Sequence, residues 1–363
     1  MTLAIVFLII GLVLLVVGAD WLVKGASRLA VSFGISSLII GLTVVAYGTS
    51  APELSVSVMS SMQGKSEIAL GNVVGSNIFN VLFILGVSAL VTPLIVAKQL
   101  IRFDVPVMIG SSILLYALCF DGTLSRVDGV FLFVGAIFYT WWLIRMGRRD
   151  AVSANSDESY KPKPEGTLWT NILWIVLGLV FLVTGSKLLV DGAITIAKHF
   201  GLSEVIIGLT IIAAGTSLPE VATSVIASFR GERDIAVGNV VGSNIFNILS
   251  VMGLSSIVSP TGITTPASIL GFDLPVMVAI ALACLPIFFS GFKITRWNGT
   301  FFLAYYVAYT AYLIFAAKEH DALPLFSKIM FQFVIPITVV TIVTLAIFEI
   351  KTILAKKKLI ADQ

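Results

Sequence analysis

The chain has 363 residues, 58% of them hydrophobic and 12% charged, with a mean hydropathy of +1.03. Soluble domains carry roughly 25% charged residues, so a soluble globular class is excluded and a polytopic membrane class is indicated. The net charge of +3 is too small to point to a nucleic-acid partner.

Apolar segments predict eleven helices, over 3–26, 36–62, 69–92, 103–120, 127–146, 169–197, 203–229, 236–258, 271–290, 297–317 and 329–352. Each approaches or exceeds the length of about 20 residues that crosses a bilayer. No basic residue precedes the first apolar run, whereas Lys24 and Arg28 follow it, a polarity that predicts a retained helix and not a cleaved signal. Residues 147–167 form the one long polar connection, a Pro- and Ser-containing linker too short to be a domain. Cys119 and Cys284 fall inside apolar runs and read as small buried residues rather than a disulfide framework. His199 and His320 fall near segment ends and read as interfacial polar residues, since a zinc site gathers several such ligands.

Residues 39–90 recur as residues 206–257 at a constant offset of 167, with 30 of 52 positions identical. The duplication extends outward. Gly18, Asp20, Lys24 and Gly25 align with Gly185, Lys187, Asp191 and Gly192, each copy keeping an opposite-charge pair at i,i+4 spacing. Phe103-Asp104-Val105-Pro106 returns as Phe272-Asp273-Leu274-Pro275, and Arg126 with Gly129 returns as Arg296 with Gly299. Asp104 and Asp273, each two residues before a proline, read as helix N-caps. Helices one to ten are therefore two copies of a five-helix unit. The expected division is a first repeat at 1–146, a cytoplasmic linker at 147–167, a second repeat at 168–317 and an extra helix with a basic tail at 318–363.

Five is odd, so the second copy must insert upside down relative to the first. With the N-terminus outside, 17 of the 23 lysines and arginines fall on the cytoplasmic side, including Lys356-Lys357-Lys358. That bias selects the orientation, with the C-terminus cytoplasmic. Inverted repeats place a transporter's substrate site near the midplane, where broken helices of the two halves meet.

The repeated stretch supplies that break. Gly48-Thr49-Ser50-Ala51-Pro52-Glu53 falls mid-helix; Pro52 lacks an N–H and interrupts the ladder, which predicts free carbonyls around Ala46 to Thr49. Glu53 follows the break. On the next helix Ser76 and Asn80 share a face at i,i+4. The second copy provides Ala213, Thr216, Ser217, Glu220, Ser243 and Asn247 at matching places. The glycines of the GxxxG pattern, Gly71 with Gly75 and Gly238 with Gly242, predict close helix packing. An intramembrane carboxylate is costly and marks a functional site. Every pooled ligand is oxygen, the set that Ca²⁺ and Na⁺ prefer and zinc or copper does not. Two carboxylates close together in low dielectric repel each other, so the site calls for one divalent cation, several monovalent ones or a proton.

GTSAPE and GTSLPE, each followed by GNVVGSNIFN, resemble the α-repeats of the calcium/cation antiporter superfamily, and within it the prokaryotic sodium/calcium exchangers, including the potassium-dependent type. The resemblance covers about residues 1–317 and implies ten core helices. It implies Ca²⁺ binding by Glu53 and Glu220, helped by backbone oxygens of Thr49 and Thr216. It also implies sodium sites built from Ala46, Ser50 and Ser76 with Glu53, and from Ala213, Ser217 and Ser243 with Glu220, with Asn80 and Asn247 completing the centre. Some members carry an aspartate where this chain has Asn80 or Asn247, so only two acids remain here.

The expected activity is secondary Ca²⁺/Na⁺ antiport across a bacterial inner membrane, with Ca²⁺/H⁺ antiport by the same glutamates as the alternative. No cofactor, covalent chemistry or obligate protein partner is implied; the partners are transported cations, K⁺ or H⁺ among the candidates, and membrane lipid. No Walker GxxxxGK[ST] motif is present, against an ATP-driven pump. A channel or an intramembrane hydrolase are the readings from other classes, and the second lacks a histidine near Ser50, Ser217 or the carboxylates in sequence.

Overall fold

A computed structural model describes residues 2–154, 166–200, 213–320, 322–340 and 343–344, without the side chains of 148–154, 213 and 333. The chain is nearly all helix. The elements are α1 (Thr2–Phe33), α2 (Ser37–Thr49), α3 (Ala51–Met62), α4 (Ser66–Val91), α5 (Leu100–Leu118), α6 (Arg126–Ala154), α7 (Leu168–His199), α8 (Leu218–Phe229), α9 (Arg233–Val258), α10 (Ile269–Phe289), α11 (Arg296–Ala317) and α12 (Leu323–Val340). Nine are long and apolar enough to cross a membrane, and the bent pair α2–α3 makes a tenth span among the described residues. Large apolar side chains of α1, α6, α7 and α12 are exposed, as lipid-facing surfaces require.

Several boundaries move. The first helix runs on to Phe33, and the fifth continues to Ala154, into the expected polar connection. The eleventh begins at Leu323, six residues early, packs against α11 and places Thr338 Oγ1 2.5 Å from Tyr305 Oη. Residues 203–212 of the seventh predicted helix, most of the linker with Lys161 and Lys163, and the stretch 345–363 with Lys351 and Lys356 to Lys358 lie outside the described residues.

The fold is two inverted five-helix units, and its contacts come in matched sets. α4 packs on α11 as α9 packs on α6, and α5 packs on α10 across the axis. Four two-residue strands tie the loops: β1 (Leu94–Ile95) pairs with β4 (Lys293–Ile294), and β2 (Thr123–Leu124) with β3 (Ile263–Thr264), both antiparallel. α4 and α9 occupy the middle of the bundle; α9 is the most buried span of all.

α1 and α7 form a long antiparallel pair, and glycine sets its closeness. Gly11, Gly18 and Gly25 recur every seven residues, as do Gly178, Gly185 and Gly192. A Cβ at Gly11 would lie 2.7 Å from the Gly185 carbonyl oxygen, one at Gly18 2.8 Å from that of Gly178, one at Gly25 2.8 Å from that of Asn171. The two backbones touch once per heptad, which only residues without a side chain permit. On α9, Gly238 and Gly242 pack closely against Leu38 and Leu42 of α2, as the GxxxG pattern predicts, whereas on α4 a Cβ at Gly71 would meet only Ile269 Cδ1 at 3.9 Å and one at Gly75 no described atom within 4 Å.

One contact breaks the symmetry. α1 leans along α8, and Arg230 just beyond α8 pairs with Asp20 while Ser27 Oγ donates to Glu232 Oε1 at 2.7 Å. α7 makes no comparable contact with α3. The twin positions hold Lys187, Ile194, Gln63 and Lys65, which cannot form that ion pair. The expected Asp20–Lys24 pair is thus replaced by an inter-element one, because α1 turns Asp20 toward the end of α8. Lys187 and Asp191 form no ion pair among the described residues.

Candidate functional site

The break in the second span falls at Ser50, where φ is −82° and ψ is 10°, and the two arms diverge by 46°. Pro52 is not the point of rupture. It occupies the first turn of α3, where a missing N–H costs nothing, so the chain breaks just upstream. The second copy repeats this: a helical turn at Ala213–Gly215, a bend at Ser217 with φ −88° and ψ 6°, then Pro219 in the first turn of α8. Glu53 and Glu220 therefore sit in the first turns of α3 and α8, both fully buried.

The two halves exchange partners across the axis. Ser217 Oγ donates to Glu53 Oε1 at 2.9 Å, and Ser50 Oγ donates to Glu220 Oε1 at 2.7 Å. Ser76 Oγ lies 3.2 Å from Ser217 Oγ, and Ser243 Oγ 3.0 Å from Ser50 Oγ. A hydroxyl has one proton, and that of Ser50 or Ser217 goes to a carboxylate, so Ser243 and Ser76 are the donors in these pairs. Each glutamate is thus reached by a two-hydroxyl relay whose near serine comes from the opposite repeat and whose far serine comes from its own.

The other carboxylate oxygens, Glu53 Oε2 and Glu220 Oε2, are buried and have no hydrogen-bond donor among the described residues. The same holds for Asn80 Oδ1 and Asn247 Oδ1. These four acceptors come from equivalent places in the two repeats. Leaving a buried acceptor without a donor costs about 1–3 kcal/mol, more for a charged one. Two carboxylate and two amide oxygens are the ligand chemistry that a hard cation accepts. π-helical turns begin at Asn80 and at Asn247, the kind of local widening that recurs at functional sites.

Of the remaining expected residues, Ala46 is buried against Gly242, and its carbonyl is not free: it accepts the Ser50 N–H at 3.0 Å. The helix of α2 simply runs to the break, so no ladder carbonyl is released at Ala46. The Ala213 side chain lies outside the described residues. The Thr49 and Thr216 hydroxyls each bond an asparagine of the opposite repeat. Thr49 Oγ1 donates to Asn239 Oδ1 at 3.1 Å and Thr216 Oγ1 to Asn72 Oδ1 at 3.3 Å.

Asn72 and Asn239 are residues that sequence reasoning missed. Each braces a broken span: Asn72 Nδ2 donates to Ser57 Oγ at 3.0 Å and to the Glu53 carbonyl at 3.3 Å, and Asn239 Nδ2 to Ser224 Oγ at 3.0 Å and the Glu220 carbonyl at 3.5 Å. Asn77 and Asn244, also missed, meet at the axis. The available signal was that each amide occurs in both copies inside an apolar run.

Asp104 and Asp273 are not helix caps. Each is the last residue of a π-helical turn inside a continuous helix, with no capping bond from its side chain. Asp104 accepts from Tyr139 at 2.9 Å and Gln99 at 3.2 Å, and Asp273 from Tyr309 at 2.7 Å. They tie α5 to α6 and α10 to α11, away from the glutamate centre. His320 Nδ1 accepts the Ala322 N–H at 3.0 Å in a turn, and Cys119 and Cys284 are free and buried.

A family profile described as sodium/calcium exchanger protein matches residues 3–145 and 170–315. The sodium/calcium exchanger MaX1 of Methanosarcina acetivorans is 35% identical over 349 residues, covering 86% of this chain and 99% of that protein. The inner membrane protein YrbG of Escherichia coli is 40% identical over 289 residues, covering 78% and 89%. A structure of the sodium-calcium exchanger NCX_Mj soaked with Na⁺ and Sr²⁺ superposes with a TM-score of 0.74 at 33% identity, covering 85% of this chain and 98% of that one.

Proposed function

Since the chain belongs to the sodium/calcium exchanger protein family, a multi-pass family of membrane antiporters, we propose that it exchanges Ca²⁺ for Na⁺ at the glutamate centre. The observation that carries this reading is the set of four buried acceptors without donors, Glu53 Oε2, Glu220 Oε2, Asn80 Oδ1 and Asn247 Oδ1. One Ca²⁺ between the two carboxylates balances their charge. Sodium ions balance it singly, each drawing on one glutamate and the serine hydroxyls beside it: Ser217 and Ser76 near Glu53, Ser50 and Ser243 near Glu220. Two carboxylates cannot hold both loads at once, because excess charge in a low dielectric is repelled by several kcal/mol. That exclusion couples the two fluxes. Thr49, Thr216 and Ala213 act through backbone oxygens, and Ala46 through the shape of the break.

The proposed setting is a bacterial inner membrane, with the N-terminus outside and the C-terminus cytoplasmic, as the lysine and arginine bias requires. In that frame the contact of Asp20 with Arg230 closes the cytoplasmic end. Access alternates when α1 and α7 exchange their roles against α8 and α3. No bond to substrate forms or breaks in this cycle.

The alternative, Ca²⁺/H⁺ exchange, would use the same glutamates. A proton needs only a carboxylate, so it leaves the paired hydroxyls and the amide oxygens without a task. The test is radiotracer Ca²⁺ uptake into proteoliposomes loaded with Na⁺, compared with vesicles given only a pH gradient. Uptake should follow the Na⁺ gradient and vanish in Glu53→Ala and Glu220→Ala. Uptake driven by pH alone selects the alternative, and full activity in both variants rejects the site.

A further inference from the structure

The direction of an amide side chain decides whether it offers a cation an oxygen or repels it with an NH₂. A flip exchanges the two ends, so the direction must be fixed by neighbours. At this centre it is fixed by a chain of forced assignments that starts from the backbone. Asn244 Nδ2 lies 3.3 Å from the Asn77 carbonyl oxygen, and Asn77 Nδ2 lies 3.2 Å from the Asn244 carbonyl oxygen. A carbonyl only accepts, so both NH₂ groups must face inward to the axis. Met108 Sδ and Met277 Sδ, at 3.6 and 3.8 Å, are also weak acceptors on the same side.

The oxygens of Asn77 and Asn244 therefore point the other way. Asn244 Oδ1 receives Asn80 Nδ2 at 3.0 Å, and Asn77 Oδ1 receives Asn247 Nδ2 at 3.1 Å. This commits the NH₂ groups of Asn80 and Asn247 and leaves their Oδ1 atoms without a donor. Asn80 shares a face with Ser76, which belongs to the relay on Glu53. All four amides are buried.

We propose that Asn77 and Asn244 are positioning residues that set the orientation of Asn80 and Asn247, each acting on the amide of the opposite repeat. Asn244 holds Asn80, and Asn77 holds Asn247. The same geometry makes positions 80 and 247 selective for a hydrogen-bond donor. An ionised carboxylate at either would bring two acceptors to about 3 Å with no proton between them, so an acid there would have to keep its proton.

This inference rests on the reading of the centre as a cation site, and the experiment separates the two. Ca²⁺ binding to the purified, full-length protein is measured by titration calorimetry for Asn244→Leu, Asn80→Leu and the double variant, and likewise for Asn77→Leu, Asn247→Leu and theirs. Loss of one oriented oxygen should weaken Ca²⁺ binding about tenfold. Asn244→Leu should weaken it as much as Asn80→Leu, and the double variant no further, because Asn244 acts only through Asn80. The crossed double Asn244→Leu/Asn247→Leu should be additive. Residues that merely support the fold would not distinguish the paired from the crossed double. If a leucine variant does not fold, Asn244→Thr and Asn77→Thr, which keep a hydroxyl acceptor, enter the same cycles and should retain more of the affinity than a variant at Asn80 or Asn247. Equal additivity in paired and crossed doubles overturns the inference while Glu53→Gln still abolishes binding. A wild-type protein that binds no Ca²⁺ overturns the underlying reading as well.

Discussion

Replacing Gly185 by alanine tests the packing of α1 on α7 with a single methyl group. The added Cβ would lie 2.8 Å from the Gly11 carbonyl oxygen, 2.8 Å from Leu15 N and 2.9 Å from Leu14 Cβ. Ordinary van der Waals contact for such atoms begins at about 3.4 Å, so the shortfall is about 0.6 Å. Two of the three obstructing atoms are backbone, which cannot rotate aside, so the helices must separate. Overpacking of this kind costs about 1–3 kcal/mol, against about 1 kcal/mol gained from alanine's higher helix propensity. The net effect is destabilising by up to about 2 kcal/mol. Gly110→Ala is the control: it is exposed on α5 with no described atom within 4 Å of the new Cβ, and should be neutral or stabilising. The double variant Gly11→Ala/Gly185→Ala should cost less than the sum of its parts, since both methyl groups enter the same crossing and one separation accommodates both. Thermal unfolding in one detergent ranks the wild type, the three single variants Gly11→Ala, Gly185→Ala and Gly110→Ala, and the double. Stabilisation of Gly185→Ala equal to that of Gly110→Ala would refute the argument.

Other outcomes follow from the centre and its surroundings. Glu53→Gln or Glu220→Gln removes one of two buried charges that answer to the cation; a loss of at least about 3 kcal/mol, or over 100-fold in Ca²⁺ affinity, is expected by calorimetry. Ser50→Ala strands Glu220 Oε1 and Ser217→Ala strands Glu53 Oε1, and each should weaken Ca²⁺ binding by about 5- to 100-fold, to the same extent as its twin. Tyr139→Phe takes a hydrogen bond from Asp104 and should lower stability by about 1–3 kcal/mol while Ca²⁺ affinity holds, since Asp104 stands apart from the centre. Asp20→Asn should shift the distribution between the two end states by no more than a few-fold, because a part-exposed ion pair contributes about 0.2–1 kcal/mol. Cysteine-labelling rates at either mouth would report that shift, and unchanged rates would remove the ion pair from the cycle.

The spans, the inversion and the paired glutamates were legible because hydropathy and a gapless duplication report them directly. The position of the break was legible only to within two residues. Proline marks the start of the second arm rather than the rupture, so Pro52 pointed slightly past Ser50. Asp104 misled for a similar reason: Asp ahead of Pro is a helix-start signal, and a π-helical turn lets the helix pass through it unbroken. The amides at 72, 77, 239 and 244 stood in plain sight within GNVVGSN, yet the partners they meet across the two repeats lie 136 to 200 residues away. Nothing local reveals which amide faces which. The reach of α1 to Phe33 likewise follows from its long contact with α7, which no single-helix pattern encodes.

Duplication alone would give a carrier whose two end states are mirror images of equal free energy. The contact of Asp20 with Arg230, absent at Lys187 and Gln63, removes that degeneracy and gives the unloaded protein a preferred side on which to wait. A bias of under 1 kcal/mol is at most about fivefold in population. Such a tilt lets the carrier rest in one orientation without becoming a one-way valve, and leaves the direction of net flow to the ion concentrations on either side.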